Sequence, residues 1–173
     1  MGQCYHPPVH LDPPFLIAIL IGLSVHECAH AYVANLLGDP TAKYDGRLTL
    51  NPIAHIDPFG AIFFLIAGFG WGKPVPVNPR YFNNPRRDGA LVSIAGPVSN
   101  LLLALLAFVI LRSFDLFSAL SDTGAFAAHG GAVGFLTQVL VSLLFVNLGL
   151  MAFNLLPVAP LDGSKILQSF IPL

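Results

Sequence analysis

The sequence predicts an all-α polytopic membrane protein, with three core transmembrane helices and a re-entrant or β-hairpin insertion between the first and the second. Three observations predict it. The chain of 173 residues is 55% hydrophobic and only 10% charged, against roughly 25% charged in average soluble domains. Three apolar runs are long enough to cross a bilayer. Between the first two lies a polar, turn-rich stretch interrupted by a shorter apolar segment. The formal net charge is −1 and no basic block occurs, so the expected surroundings are the lipid bilayer, and nucleic acid is excluded as a partner.

Residues 1–14, MGQCYHPPVHLDPP, read as a flexible leader. It has no basic n-region, so the apolar run after it is not a cleaved signal peptide. His6 stands where a myristoylation signal wants Ser or Thr. His6 and His10 are scattered in a Pro-rich leader and are expected to be inert. Cys4 and Cys28 make no disulfide framework. Residues 15–173 read as one domain. Its first helix covers about 15–37, ahead of Gly38-Asp39-Pro40, which stop it.

In the insertion, about 40–87, Asp45-Gly46 signals a hairpin turn, and Asn51-Pro52 and Asp57-Pro58 punctuate further. Phe59 to Trp71 is apolar but short and glycine-rich, which suits a re-entrant or interfacial segment. Lys73-Pro74-Val75-Pro76-Val77 must be extended, because each proline bars its predecessor from the helical region. A second helix covers about 88–112 and a third about 132–155, separated by a polar loop. The chain reaches Leu173 on the start of another amphipathic or spanning helix, and no further C-terminal helix is expected.

Basic residues favour the cytoplasmic side. Lys43 and Arg47 follow the first helix; Lys73, Arg80, Arg86 and Arg87 precede the second. The next loop carries Asp115 and Asp122 and, after Arg112, no basic residue. If Phe59–Trp71 spans, the two basic loops fall on opposite faces. If it re-enters, all six basic residues share one side, the acidic loop lies opposite, and the first and third helices run parallel. The re-entrant reading explains more of the charge distribution, with Arg112 left to snorkel.

Three ionisable groups, His26, Glu27 and His30, sit inside the first apolar run, where each needs a partner or a task. The histidines are four apart and share a helix face. Glu27 lies about 100° round from His26, within reach of a ligand held between the rings. This is H-E-x-x-H: two imidazoles for a zinc ion and a carboxylate as general base. A catalytic zinc needs a third protein ligand and an open position. Asp162, beyond the helix-breaking Pro157 and Pro160, is one candidate, and a surface turn at Asp162-Gly163 is the plain alternative. His55, in a polar loop next to Asp57, is the rival ligand or a neighbour of the site, and a solvated or turn-stabilising histidine is the plain alternative. Asn154 either donates to a developing oxyanion or ties off the broken helix end. Asn100, after Gly96-Pro97, either lines the cavity or holds the helices together. Val75 and Val77 keep N–H groups between prolines, an edge to which an unwound substrate strand could add.

HECAH in the first helix, AGPVSN in the second and NLLPVAPLDG closing the third resemble the site-2 protease family of intramembrane zinc metalloproteases. GRLTLNPIAHIDPFG and GWGKPVPVNP look like its compact bacterial and archaeal branch, which lacks PDZ and CBS domains. The resemblance covers nearly all of residues 15–167. It implies one zinc per chain on His26, His30 and Asp162, Glu27 as catalytic base and Asn154 assisting in the transition state. It implies a substrate with a transmembrane helix and a prokaryotic inner or plasma membrane; the basic residues, under the re-entrant reading, put the active site towards the cytoplasm. The chain departs from the family at its C-terminus, where similar proteins continue into further membrane helix. The competing function is a metal transporter or sensor without proteolysis, which would want ligands at several depths; here one cluster lies at one depth beside Glu27. Oligomeric state and natural substrate are not legible.

Overall fold

The computed structural model describes residues 12–68, 70–114 and 131–171. Most of the expected leader, with His6 and His10, and the acidic loop with Asp115 and Asp122 lie outside the described residues. The described chain is mostly helical and contains no strand, only an isolated antiparallel bridge between Ile56 and Gly72.

Three helices are long and apolar enough to cross a membrane: α1 (Pro13–Leu36), α4 (Pro85–Ser113) and α5 (Ala132–Asn154). They form a three-helix core in which every pair is in contact. The seam is lined by Ala18 of α1, Ala104, Ala107 and Leu111 of α4, and Leu143 and Leu144 of α5. Alanine recurs there because, between helices in lipid, close backbone approach supplies the packing that a hydrophobic drive cannot. Outward, Leu102, Leu105, Leu106 and Phe145 are exposed, as side chains facing acyl chains would be.

The insertion contains the short helix α2 (Thr41–Tyr44), α3 (Pro58–Ala67), and single 3-10 turns at Pro52–Ala54 and Pro79–Tyr81. Its Asx-Pro pairs prove to be helix starts. Proline suits the first helical position, and the preceding side chain accepts an otherwise orphaned N–H. Asp57 accepts from Gly60 N, Asn78 from Arg80 N, and Asn84 from Arg87 N. The Asp88 carboxylate in turn accepts from Asn84 N at 2.9 Å, which fixes the start of α4.

The hairpin expected at Asp45-Gly46 is absent. Gly46 (φ 68°) instead closes α2 as a left-handed cap, with Gly46 N donating to Lys43 O and Arg47 N to Ala42 O. Those two bonds end a helix rather than join two strands. They also aim Arg47 inward, where its buried guanidinium donates to Lys73 O.

Around α3 the chain returns to where it left. Ile56 bridges Gly72, Lys73 N donates to His55 O at 2.8 Å, and the rings of Phe63 and Trp71 lie 5.7 Å apart. The backbones touch here: a Cβ on Gly60 would strike the Trp71 carbonyl, and one on Gly70 the Gly60 carbonyl. From Lys73 a prolyl strap continues to Asn78, whose N–H donates to the buried Asp39 carboxylate at 2.7 Å. Val77 packs against the Ala34–Phe82–Val92 cluster beneath it.

The turn after α5 leads into α6 (Asp162–Phe170), an amphipathic helix where the sequence predicts the start of an amphipathic or spanning one, and it packs on α4. A Cβ on Gly163 would collide with the Leu155 and Leu156 carbonyls. Glycine is therefore required for α6 to begin hard against the end of α5.

Candidate metal and catalytic site

His26 and His30 stand one turn apart on α1 with rings edge to face, centroids 4.6 Å apart. Asp162, the first residue of α6, meets them: its Oδ2 lies 3.1 Å from His26 Nε2 and 3.2 Å from His30 Nε2. The two Nε2 atoms are 3.0 Å apart. All three side chains are buried. They can present one ligand atom each, all within 4.8 Å of one another. The helices approach this closely because position 96 of α4 is glycine, where a Cβ would stand 2.5 Å from His26 Cε1 and from His30 Nε2.

The other ring nitrogens show what the cluster wants. His30 Nδ1 lies 2.7 Å from the Val92 carbonyl, which only accepts, so Nδ1 carries the proton and Nε2 of the neutral ring presents a lone pair. His26 Nδ1 lies 2.6 Å from Asn100 Oδ1, which likewise only accepts. Two imidazole lone pairs and a carboxylate oxygen thus converge on one point, and they need a cation between them. Burial works to raise the Asp162 carboxyl, and imidazoles that carry a proton and positive charge at Nε2 outweigh burial and hold it well below the usual carboxylate range; a cation at that point takes the place of those protons. Two neutral imidazoles and a carboxylate make a donor set suited to zinc. The residues present fit the metal.

Beside the cluster opens a cavity of about 600 Å³. Glu27, half-buried, lines it next to His26 and His30; Asn154, Val75 and Val77 line it too, as do Arg86 and Lys165. Lys165 Nζ lies 3.6 Å from Asp162 Oδ1. Asn154 Nδ2 donates to Leu150 O at 2.9 Å, so one of its two amide protons ties off α5.

Two expected neighbours lie elsewhere. His55 is fully buried beneath the strap and bonds Thr49 O through Nε2 at 2.8 Å. It is absent from the cavity lining, its Nε2 turned to the Thr49 carbonyl of its own loop. Asn100 is also fully buried and stands behind His26 on the side away from the cavity lining. Sequence reasoning missed Asn147, which bonds Asn100; an Asn inside an apolar span is costly enough to have signalled it. It also missed Asp39, whose carboxylate anchors the strap.

The family model for peptidase family M50 matches residues 14–172. The chain is 46% identical over 172 residues to YwhC of Bacillus subtilis (strain 168), covering 99% of this chain and 75% of that one. It is 32% identical over 155 residues to Rip2 of Mycolicibacterium smegmatis, covering 86% and 54% of the two chains. Rip2 of Mycobacterium tuberculosis (strain H37Rv) is 33% identical over 156 residues, with coverage of 86% and 54%. The chain thus spans about half the length of the Rip2 relatives. All three are provisionally named zinc metalloproteases. No solved structure matches the chain. Family and relatives agree with the donor set in making zinc the metal. The chain belongs to peptidase family M50.

Proposed function

We propose that this chain hydrolyses peptide bonds in or beside the transmembrane segments of other membrane proteins, with His26, His30 and Asp162 holding one zinc ion. The observation that carries the reading is the convergence of three acceptors at one point, walled by Glu27 and open to the cavity. The chemistry the metal supplies when bound is Lewis-acidic: it polarises a carbonyl and brings the pKa of a water towards neutrality. Glu27, on the cavity wall, takes the proton of the attacking water and returns it to the leaving amine. Asn154 keeps one amide N–H free of Leu150 O and directs it to the developing oxyanion.

A helical substrate hides its carbonyls in hydrogen bonds and must unwind before attack. The strap supports that step. It is held at Lys73 and Asn78, while the Val75 and Val77 N–H groups have no partner among the described residues. An unwound segment adds there as a strand, over the cavity. We also propose that α3 re-enters the membrane from the cytoplasmic side, since its two ends meet at Ile56 and Gly72. The active site then lies towards the cytoplasm of a prokaryotic cell.

The test is zinc content together with cleavage of a transmembrane substrate by wild type and Glu27→Gln. The expected result is about one zinc per chain in both. Cleavage falls by at least about 10²-fold in the variant, the lower range for losing a general base. Zinc binding without Glu27-dependent cleavage would instead favour a transporter or sensor.

A further inference from the structure

Behind His26, a polar chain crosses the core of the helix bundle. Leu143 O of α5 accepts from Asn147 Nδ2 at 2.8 Å. Asn147 Oδ1 accepts from Asn100 Nδ2 at 2.7 Å, and Asn100 Nδ2 also donates to Gly22 O at 3.2 Å. Asn100 Oδ1 then faces His26 Nδ1 at 2.6 Å. Asn100 and Asn147 are both fully buried. Two amides at this depth are expensive unless every atom is spoken for.

The orientation of each amide follows from the backbone carbonyls at its ends, which only accept. Leu143 O requires the NH2 group of Asn147, so the Asn147 oxygen faces Asn100. Gly22 O and that oxygen together require the NH2 group of Asn100, so the Asn100 oxygen faces His26. An oxygen there requires a proton on His26 Nδ1. Flipping either amide would set oxygen against oxygen at 2.7–3.2 Å. Gly22 leaves the room: a Cβ there would stand 2.9 Å from Asn147 Oδ1.

We infer that Asn147 and Asn100 are positioning residues that lock His26 in the Nδ1–H tautomer and aim its Nε2 lone pair at the metal position. The inference rests on the proposed role of His26 as a ligand. Asn100 acts on the ring directly, and Asn147 acts only by denying Asn100 its other orientation. Residues that orient a metal-bound imidazole typically change metal affinity by about 10–100-fold when removed.

The test is zinc affinity by chelator competition, with helical circular dichroism and zinc-free melting as companions. Asn100→Leu is expected to weaken zinc about 10–100-fold. Asn100→Asp cannot donate to Gly22 O or Asn147 Oδ1 but still offers an acceptor to His26 Nδ1. It should therefore melt lower, like Asn100→Leu, yet bind zinc much closer to wild type. If the two variants lost zinc equally, the pair would be mere inter-helix glue and the inference would fail. It would fail equally if Asn100→Leu bound zinc within twofold of wild type. His26→Ala serves as the separate check on the ligand reading: wild-type affinity there would overturn that reading, whatever Asn100 does. Should the variants not fold, 15N spectra of the zinc-loaded wild type decide directly. Nδ1 of His26 must carry the proton; zinc on Nδ1 would overturn the inference.

Discussion

Gly96 faces both imidazoles across the contact between α1 and α4, and the space it leaves is smaller than a methyl group. Gly96→Ala must push the rings apart or separate the helices, and such overpacking costs about 1–3 kcal/mol. We expect zinc affinity to fall roughly 5- to 150-fold, the same energy expressed as a binding constant, with helical content retained. Gly149→Ala, where a Cβ meets nothing within 4 Å, should leave zinc affinity alone. Chelator competition on the two variants checks both. Much of the site at this scale was legible beforehand. His26, Glu27 and His30 reveal themselves by helical spacing in a segment where charge is costly. Asp162 was legible only as a candidate, since nothing local distinguishes a ligand from a turn carboxylate. Asn100 was recognisable as a buried amide, whereas the burial of His55 was not legible in its polar loop, and residue type does not say on which side of a ring or strap a side chain lies. Gly96 is informative only once the partner helix is known.

The insertion shows where reasoning from local pattern stops. Asp45-Gly46 serves equally as a hairpin turn or as a helix cap, and the choice depends on what Arg47 reaches, which is Lys73, 26 positions away. The extended strap was legible from Pro74 and Pro76 because proline acts on its own neighbours. Its anchoring by Asp39 and Arg47 was not. Those anchors make the strap testable as a unit. Asp39 and Arg47 hold Asn78 and Lys73, whereas Val75 and Val77 lie between and line the cavity. Val75→Pro or Val77→Pro therefore removes one free N–H while preserving extended backbone and both anchors. Each lost hydrogen bond to substrate is worth about 0.5–1.5 kcal/mol. The expected outcome is a KM for a helical substrate raised from a few-fold to about tenfold with zinc content unchanged; melting temperature is unchanged in Val75→Pro and somewhat lower in Val77→Pro, which also trims packing on the Ala34–Phe82–Val92 cluster. Unchanged KM in both variants would remove strand addition from the proposed mechanism.

At the scale of the whole molecule, the three spanning helices and their order could be read from apolar runs, because lipid enforces length and composition more strictly than water does. What could not be read is how the chain between α1 and α4 meets the membrane, since a ten-residue apolar helix such as α3 is short for a span yet too apolar for a surface loop. Two independent features bear on it. The ends of the α3 excursion touch at Ile56 and Gly72, so a segment that crossed fully would have to cross back within residues 68–72. The six basic residues from Lys43 to Arg87 gather on one side only if it does not cross. Single cysteines separate the cases. In a background free of Cys4 and Cys28, Tyr44→Cys and Tyr81→Cys flank α3 at exposed positions, 83% and 54% accessible. Under the proposed topology an impermeant maleimide labels both in inverted membrane vesicles and neither in intact spheroplasts, and Ser121→Cys in the acidic loop behaves oppositely. Labelling of Tyr44→Cys and Tyr81→Cys from opposite faces would make α3 a full crossing. α1 and α5 would then run antiparallel, and no depth in the bilayer would bring Asp162 to the histidines as the structure has it.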